Sequence, residues 1–126
     1  DRIELIGVPA FIDEWLANPM FAGLTAETAM RTERLSNTAR GLADSLRHAG
    51  TGTQDNLWPR LAELRMPVLI VAGADDAKFT AIAERMNGLI SGSSLSVIPA
   101  AGHTVHLEAT DSFVDVLQEW LVTNTR

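Results

Sequence analysis

The sequence predicts an α/β chain in two parts, and three observations carry that prediction. Residues 1–66 repeat apolar side chains at helical spacing. After Pro67 the chain changes to short, β-branched apolar runs that alternate with helical segments. The runs "PVLIVAG" and "SLSVIPA" flank one such segment, so a right-handed crossover would make them parallel neighbours. The expected division is therefore 1–66, helical, and 67–126, strand–helix–strand–helix.

In the first part, "VPAFIDEWLANPMF" places Phe11, Ile12, Trp15 and Leu16 on one helical stripe. Pro9 suits a first helical turn, and Asn18-Pro19 interrupts the stripe. "LTAETAMRTERL" predicts a helix from Thr25, with Glu27 and Thr28 in its opening turn. "SNTARGLADSLRHAG" predicts another, with Leu42, Leu46 and Ala49 in register and Gly50 as its stop. "GTGTQDN" is a loop, and "LWPRLAEL" a short helix that leads to Met66-Pro67.

In the second part, 68–72 is a buried parallel strand ended by Gly73, and "KFTAIAERMNGLI" is a helix. Residues 95–98 form the second strand, and "AGHTVHLEAT" is a loop. "DSFVDVLQEWLVT" is an amphipathic helix capped by Thr110 or Asp111, with Phe113, Leu117, Trp120 and Leu121 facing inward. Two parallel strands make a poor sheet alone, so the pattern resembles the end of a wider one.

Composition narrows the function. The chain has 126 residues, 46% apolar, with a net charge of −6. An acidic surface of this kind argues against nucleic acid or an anionic membrane as partner. Without cysteine there is no disulfide and no thiolate metal site. No apolar run reaches membrane-spanning length, and no basic segment followed by an apolar one opens the chain. A cytoplasmic protein is expected.

Chemistry-bearing residues collect at the carboxyl ends of strands in open α/β sheets. Asp75 and Asp76 follow the first strand, and His103 follows the second. A carboxylate on one imidazole nitrogen would fix the tautomer and leave the other nitrogen as a base. That is two thirds of a nucleophile–His–acid triad. Each residue also has a plainer reading: an aspartate after a strand is often a helix N-cap, and a loop histidine is often solvated. His103, His106 and Glu108 do not follow the helical H-E-x-x-H spacing of a metal site, so no metal is expected.

"PVLIVAGADDAKF", "IPAAGHTVHLE" and the last helix resemble the final third of the α/β-hydrolase fold. "FIDEWLANPMF", "RTERLSN", "GTGTQDNLW" and "GADDAKF" together resemble one subgroup, the MenH-type synthases of menaquinone biosynthesis. These eliminate pyruvate to make 2-succinyl-6-hydroxy-2,4-cyclohexadiene-1-carboxylate. The resemblance implies a partial α/β-hydrolase fold: a helical cap with its connector over 1–66, then the last two parallel strands and helices of the core over 67–126. It implies Asp76 as triad acid, His103 as triad histidine, and Asp75 as a variable neighbour. It implies Trp15 and Arg34 as pocket residues for a small anionic substrate, with no metal and no organic cofactor. An arginine fork suits carboxylates. Trp15 as core, Arg34 as a solvated helix residue, Lys78 as surface and Phe79 as packing are the competing readings.

The family's serine sits in a G-x-S-x-G elbow before the cap. No such pentapeptide occurs here, and "SGSS" at 91–94 has the composition without the pattern. The chain is therefore expected to be part of a larger enzyme, inactive alone, with the missing N-terminal half as its partner. Two rivals remain open at this point: a carboxylester or C–C bond hydrolase of the same fold, and a non-catalytic interaction fragment.

Overall fold

The computed structural model describes residues 2–124. The chain forms two compact units, residues 1–19 with 25–56, and residues 20–24 with 57–126. Among the described residues no helix is long and apolar enough to cross a membrane.

The first unit is helical. Helix α1, Arg2–Leu16, breaks at Gly7, whose φ of 80° and ψ of 165° lie outside helical space. A glycine takes that conformation without steric cost. Pro9 then falls in the opening turn of the segment beyond the break, where its missing N–H is harmless. Its start at Arg2, ahead of the break, was not read from the sequence.

The helix expected from Thr25 is shorter than predicted. Helix α2 covers Arg31–Leu35, preceded by Met30 in the left-handed region at φ 49°. The cause is local. The Thr25 amide donates to Thr28 Oγ1 at 2.9 Å, and the Thr28 amide donates to Thr25 Oγ1 at 3.1 Å. Threonine hydroxyls that bind nearby amides offer the backbone an alternative to the helix. Helix α3, Ala39–Ala49, is capped by Thr38, whose hydroxyl accepts from the Gly41 amide at 3.1 Å. Buried Ile3, Ile12 and Ala43 hold this unit together.

The second unit contains a 3-10 segment over Trp58–Glu63, then strand β1, Val68–Gly73, helix α4, Ala77–Leu89, and strand β2, Ser93–Ile98. The strands pair in parallel, from Val68 with Ser93 to Gly73 with Ile98. Side chains alternate across the sheet as a period of two requires. Val68, Ile70 and Ala72 meet Ala83, Met86, Ile90 and Leu95 on one face. Val71 and Ile98 meet Ala101, Val105, Phe113 and Val116 on the other.

Residues 101–110, expected as loop, include a one-turn helix, α5, Val105–Glu108. Helix α6 runs Thr110–Asn124. Its inward side carries Phe113, Val116, Leu117 and Trp120, whereas Leu121 is 41% exposed. The expected stripe was thus displaced at one position.

Candidate active site

The carboxyl ends of β1 and β2 are drawn together by backbone contacts. The Ala74 amide donates to the Ile98 carbonyl, and the Asp75 amide to the Ala101 carbonyl, each at 2.9 Å. Gly73 is required there: a Cβ on it would collide with the carbonyl oxygens of Ala101 and Gly102. The loop after β2 therefore lies directly against the end of β1.

That approach delivers His103 to Asp76. Nδ1 of His103 lies 2.8 Å from Asp76 Oδ2. Asp76 is also the N-cap of α4, its Oδ1 accepting from the Phe79 amide at 3.1 Å. The cap and the contact with the imidazole are thus compatible, one on each oxygen. Burial works against the charge of Asp76, but the Phe79 amide and His103 outweigh it, with Lys78 adding a smaller attraction. Its carboxyl consequently sits below the ordinary aspartate range.

An ionised carboxylate can only accept, so the proton of this pair resides on His103 Nδ1. A neutral His103 then presents Nε2 as a base. The imidazole is flanked by Phe79, edge-on at 4.5 Å between ring centroids, and by Phe21 at 6.3 Å. Asp75 is exposed and engages Ala101 through its backbone. Lys78 lies over the Phe79 ring at 5.4 Å.

Trp15 and Arg34 line one pocket of about 180 Å³ within the first unit, together with Phe11, Ile12 and Leu42. Phe11 stacks on Trp15 at 6.1 Å. Arg34 Nε donates to the Ala29 carbonyl at 2.9 Å, which fixes the root of the guanidinium. Trp15 is 41% exposed, which weighs against a purely core role.

Phe79 was read as packing, and its ring packs on the imidazole. One contributor escaped the sequence reading. Glu108 was weighed as a metal ligand, yet it bonds the backbone around His103. A carboxylate five residues after a loop histidine was the available signal, but spacing alone does not reveal a backbone acceptor.

Residues 2–116 match the alpha/beta hydrolase family. A Bacillus subtilis (strain 168) relative, provisionally named a 2-succinyl-6-hydroxy-2,4-cyclohexadiene-1-carboxylate synthase, is 38% identical over 96% of this chain and 46% of its own length. The synthase of that name from Serratia proteamaculans (strain 568) is 34% identical over 86% of this chain and 42% of its own. Among solved structures, MenH from S. aureus superposes with a TM-score of 0.93 at 37% identity, across 99% of this chain and 49% of that one. An N-acyl homoserine lactone degrading enzyme shares the fold, with a TM-score of 0.58 at 22% identity, across 86% of this chain and 50% of that one. The chain spans about half the length of the curated relatives it matches. The match extends over residues 2–116, which hold the parallel strand pair, its crossover helix and the Asp–His pair at the strand ends, and the chain belongs to the alpha/beta hydrolase family.

Proposed function

We propose that this chain supplies the acid and the histidine of a Ser-His-Asp triad in a menaquinone-biosynthesis lyase. The enzyme would eliminate pyruvate from 2-succinyl-5-enolpyruvyl-6-hydroxy-3-cyclohexene-1-carboxylate. The observation that carries the reading is the 2.8 Å contact between His103 Nδ1 and Asp76 Oδ2 at adjacent strand ends. The likeness to the named synthases supports the choice of reaction.

In this reading residues 1–66 are the helical cap with its connector, and residues 67–126 close the core. The serine comes from a segment outside this sequence, in the half of the relatives that the chain does not span. Asp76 holds the imidazole so that Nε2 takes the serine proton. The serine oxygen then removes a proton from the substrate ring, the electrons of that C–H bond form a ring double bond as the ring carbon–oxygen bond to the enolpyruvyl group breaks, and the departing enolate becomes pyruvate by taking at carbon the proton that His103 Nε2 had drawn from the serine. Oxyanion-type donors stabilise the charge that develops. Arg34 grips a substrate carboxylate and Trp15 walls the pocket. No metal or organic cofactor takes part.

The test is pyruvate release by the full-length protein carrying this sequence, given that precursor, with a nitrophenyl ester alongside. Elimination that vanishes in His103→Ala supports both reaction and histidine. Ester cleavage without elimination keeps the triad and discards the pathway.

A further inference from the structure

We infer that Glu108 is a positioning residue for His103, clamping the backbone on both sides of the imidazole. The inference takes its reaction from the lyase reading above. Its geometry is independent of that reading.

Glu108 Oε2 accepts from the Gly102 amide at 2.8 Å. Its Oε1 accepts from the Thr104 amide at 2.8 Å and from the Thr104 hydroxyl at 2.7 Å. His103 is the one residue between those two amides. A carboxylate is an acceptor on both oxygens, so it alone among side chains of this size can satisfy donors from both directions. Bonds to an ionised acceptor are also the stronger kind. Thr104 is buried, at 9% exposure, so its donors depend on this partner rather than on solvent.

The opposite side of the loop is held as well. The Ala101 carbonyl accepts from the Asp75 amide at 2.9 Å. The loop is thus fixed to β1 on one side and to α5 on the other, and the imidazole aims where these two anchors direct it. Burial opposes the charge of Glu108, but the Thr104 and Gly102 donors outweigh it, and its carboxyl lies below the ordinary glutamate range. The charged groups around the imidazole are Asp76 and Glu108, with Lys78 acting on Asp76. A misplacement of about 1 Å at a reacting group can cost on the order of 100-fold in rate.

Glu108→Gln tests this at constant volume. Its amide oxygen can serve one side of the loop, but its NH₂ faces a donor on the other. The first readout is the low-field proton resonance of His103 Nδ1–H bonded to Asp76, followed by NMR in the full-length protein. It should move upfield or broaden. The second is turnover of the full-length protein, where kcat should fall about 10- to 100-fold with KM within about twofold. A folded Glu108→Gln protein with an unmoved resonance and unchanged kcat overturns the inference. Should that variant not fold, Glu108→Asp keeps the charge but shortens the reach by one methylene, so that both amides cannot be held: a moved resonance supports the clamp, an unmoved one overturns it. If the wild type releases no pyruvate, the lyase reading fails, and the resonance still decides the role of Glu108.

Discussion

Asp76 illustrates how much a single residue can hide from its sequence. As a residue after a strand it is both an N-cap and the partner of the imidazole, because its two oxygens serve different donors. Asp76→Asn keeps a capping oxygen, so folding should change by less than about 1 kcal/mol through the cap. Turnover of the full-length protein should nonetheless fall about 1,000-fold or more, because the amide no longer selects the Nδ1–H tautomer. Asp75→Asn should leave turnover within about twofold, since Asp75 is exposed and its contact with the loop is through its backbone. Steady-state kinetics with thermal unfolding of each variant checks both. Equal losses at the two positions would reject Asp76 as the acid. The family resemblance implied Asp76 over Asp75, and it is Asp76 that contacts His103, whereas the bonds of Glu108 were not legible, since no motif encodes which backbone amides a carboxylate will meet.

The same residues set an acid limit. Asp76 and Glu108 both have carboxyls held below their ordinary range in the folded chain. A depressed folded value means stability that is fully present above the unfolded value, near pH 4, and lost as pH falls through the folded one. Stability should therefore decline below about pH 4. In Glu108→Gln the decline should be shallower than in the wild type, and the gap between the two should narrow toward acid. Unfolding midpoints across pH 2.5–7, roughly the span over which carboxylates titrate, would measure it, and parallel curves would reject the coupling.

At the scale of elements, the strands were legible as short β-branched apolar runs and α4 by its helical period. The segment 25–30 was not, because two threonine hydroxyls capture amides that a helix would use. The inward side of α6 was nearly right, with Val116 rather than Leu121 against the core. Gly73 links these elements to the site, since the loop carrying His103 rests against its bare α-carbon. Gly73→Ala should force that loop away from β1 and destabilise the fold by about 1–3 kcal/mol, an overpacking cost. Denaturant unfolding gives the first number, and the His103 Nδ1–H resonance reports the displaced loop. A variant as stable as the wild type, with that resonance in place, would show that the close approach is not needed.

At the scale of the whole molecule, the described strands form one sheet of two, β1 beside β2. Such a pair buries little by itself, and parallel sheets are normally wider and covered on both faces. The sequence made this visible through the count of apolar runs, but it does not encode the strands that would flank them. The 126 residues contain Asp76 and His103 and lack a G-x-S-x-G elbow. A triad without its nucleophile and oxyanion donors retains little catalysis, since these members act as a unit and not additively. The 126-residue chain alone should therefore release no pyruvate above background from the menaquinone-pathway precursor. Supplying the complementary half of the family fold as a separate chain should restore release, provided the two pair along the β1 edge. A stopped assay for pyruvate with the chain alone, the complement alone and both together would separate the cases. Turnover by the chain alone would mean that the nucleophile lies among these residues, and would overturn the assignment of the missing serine.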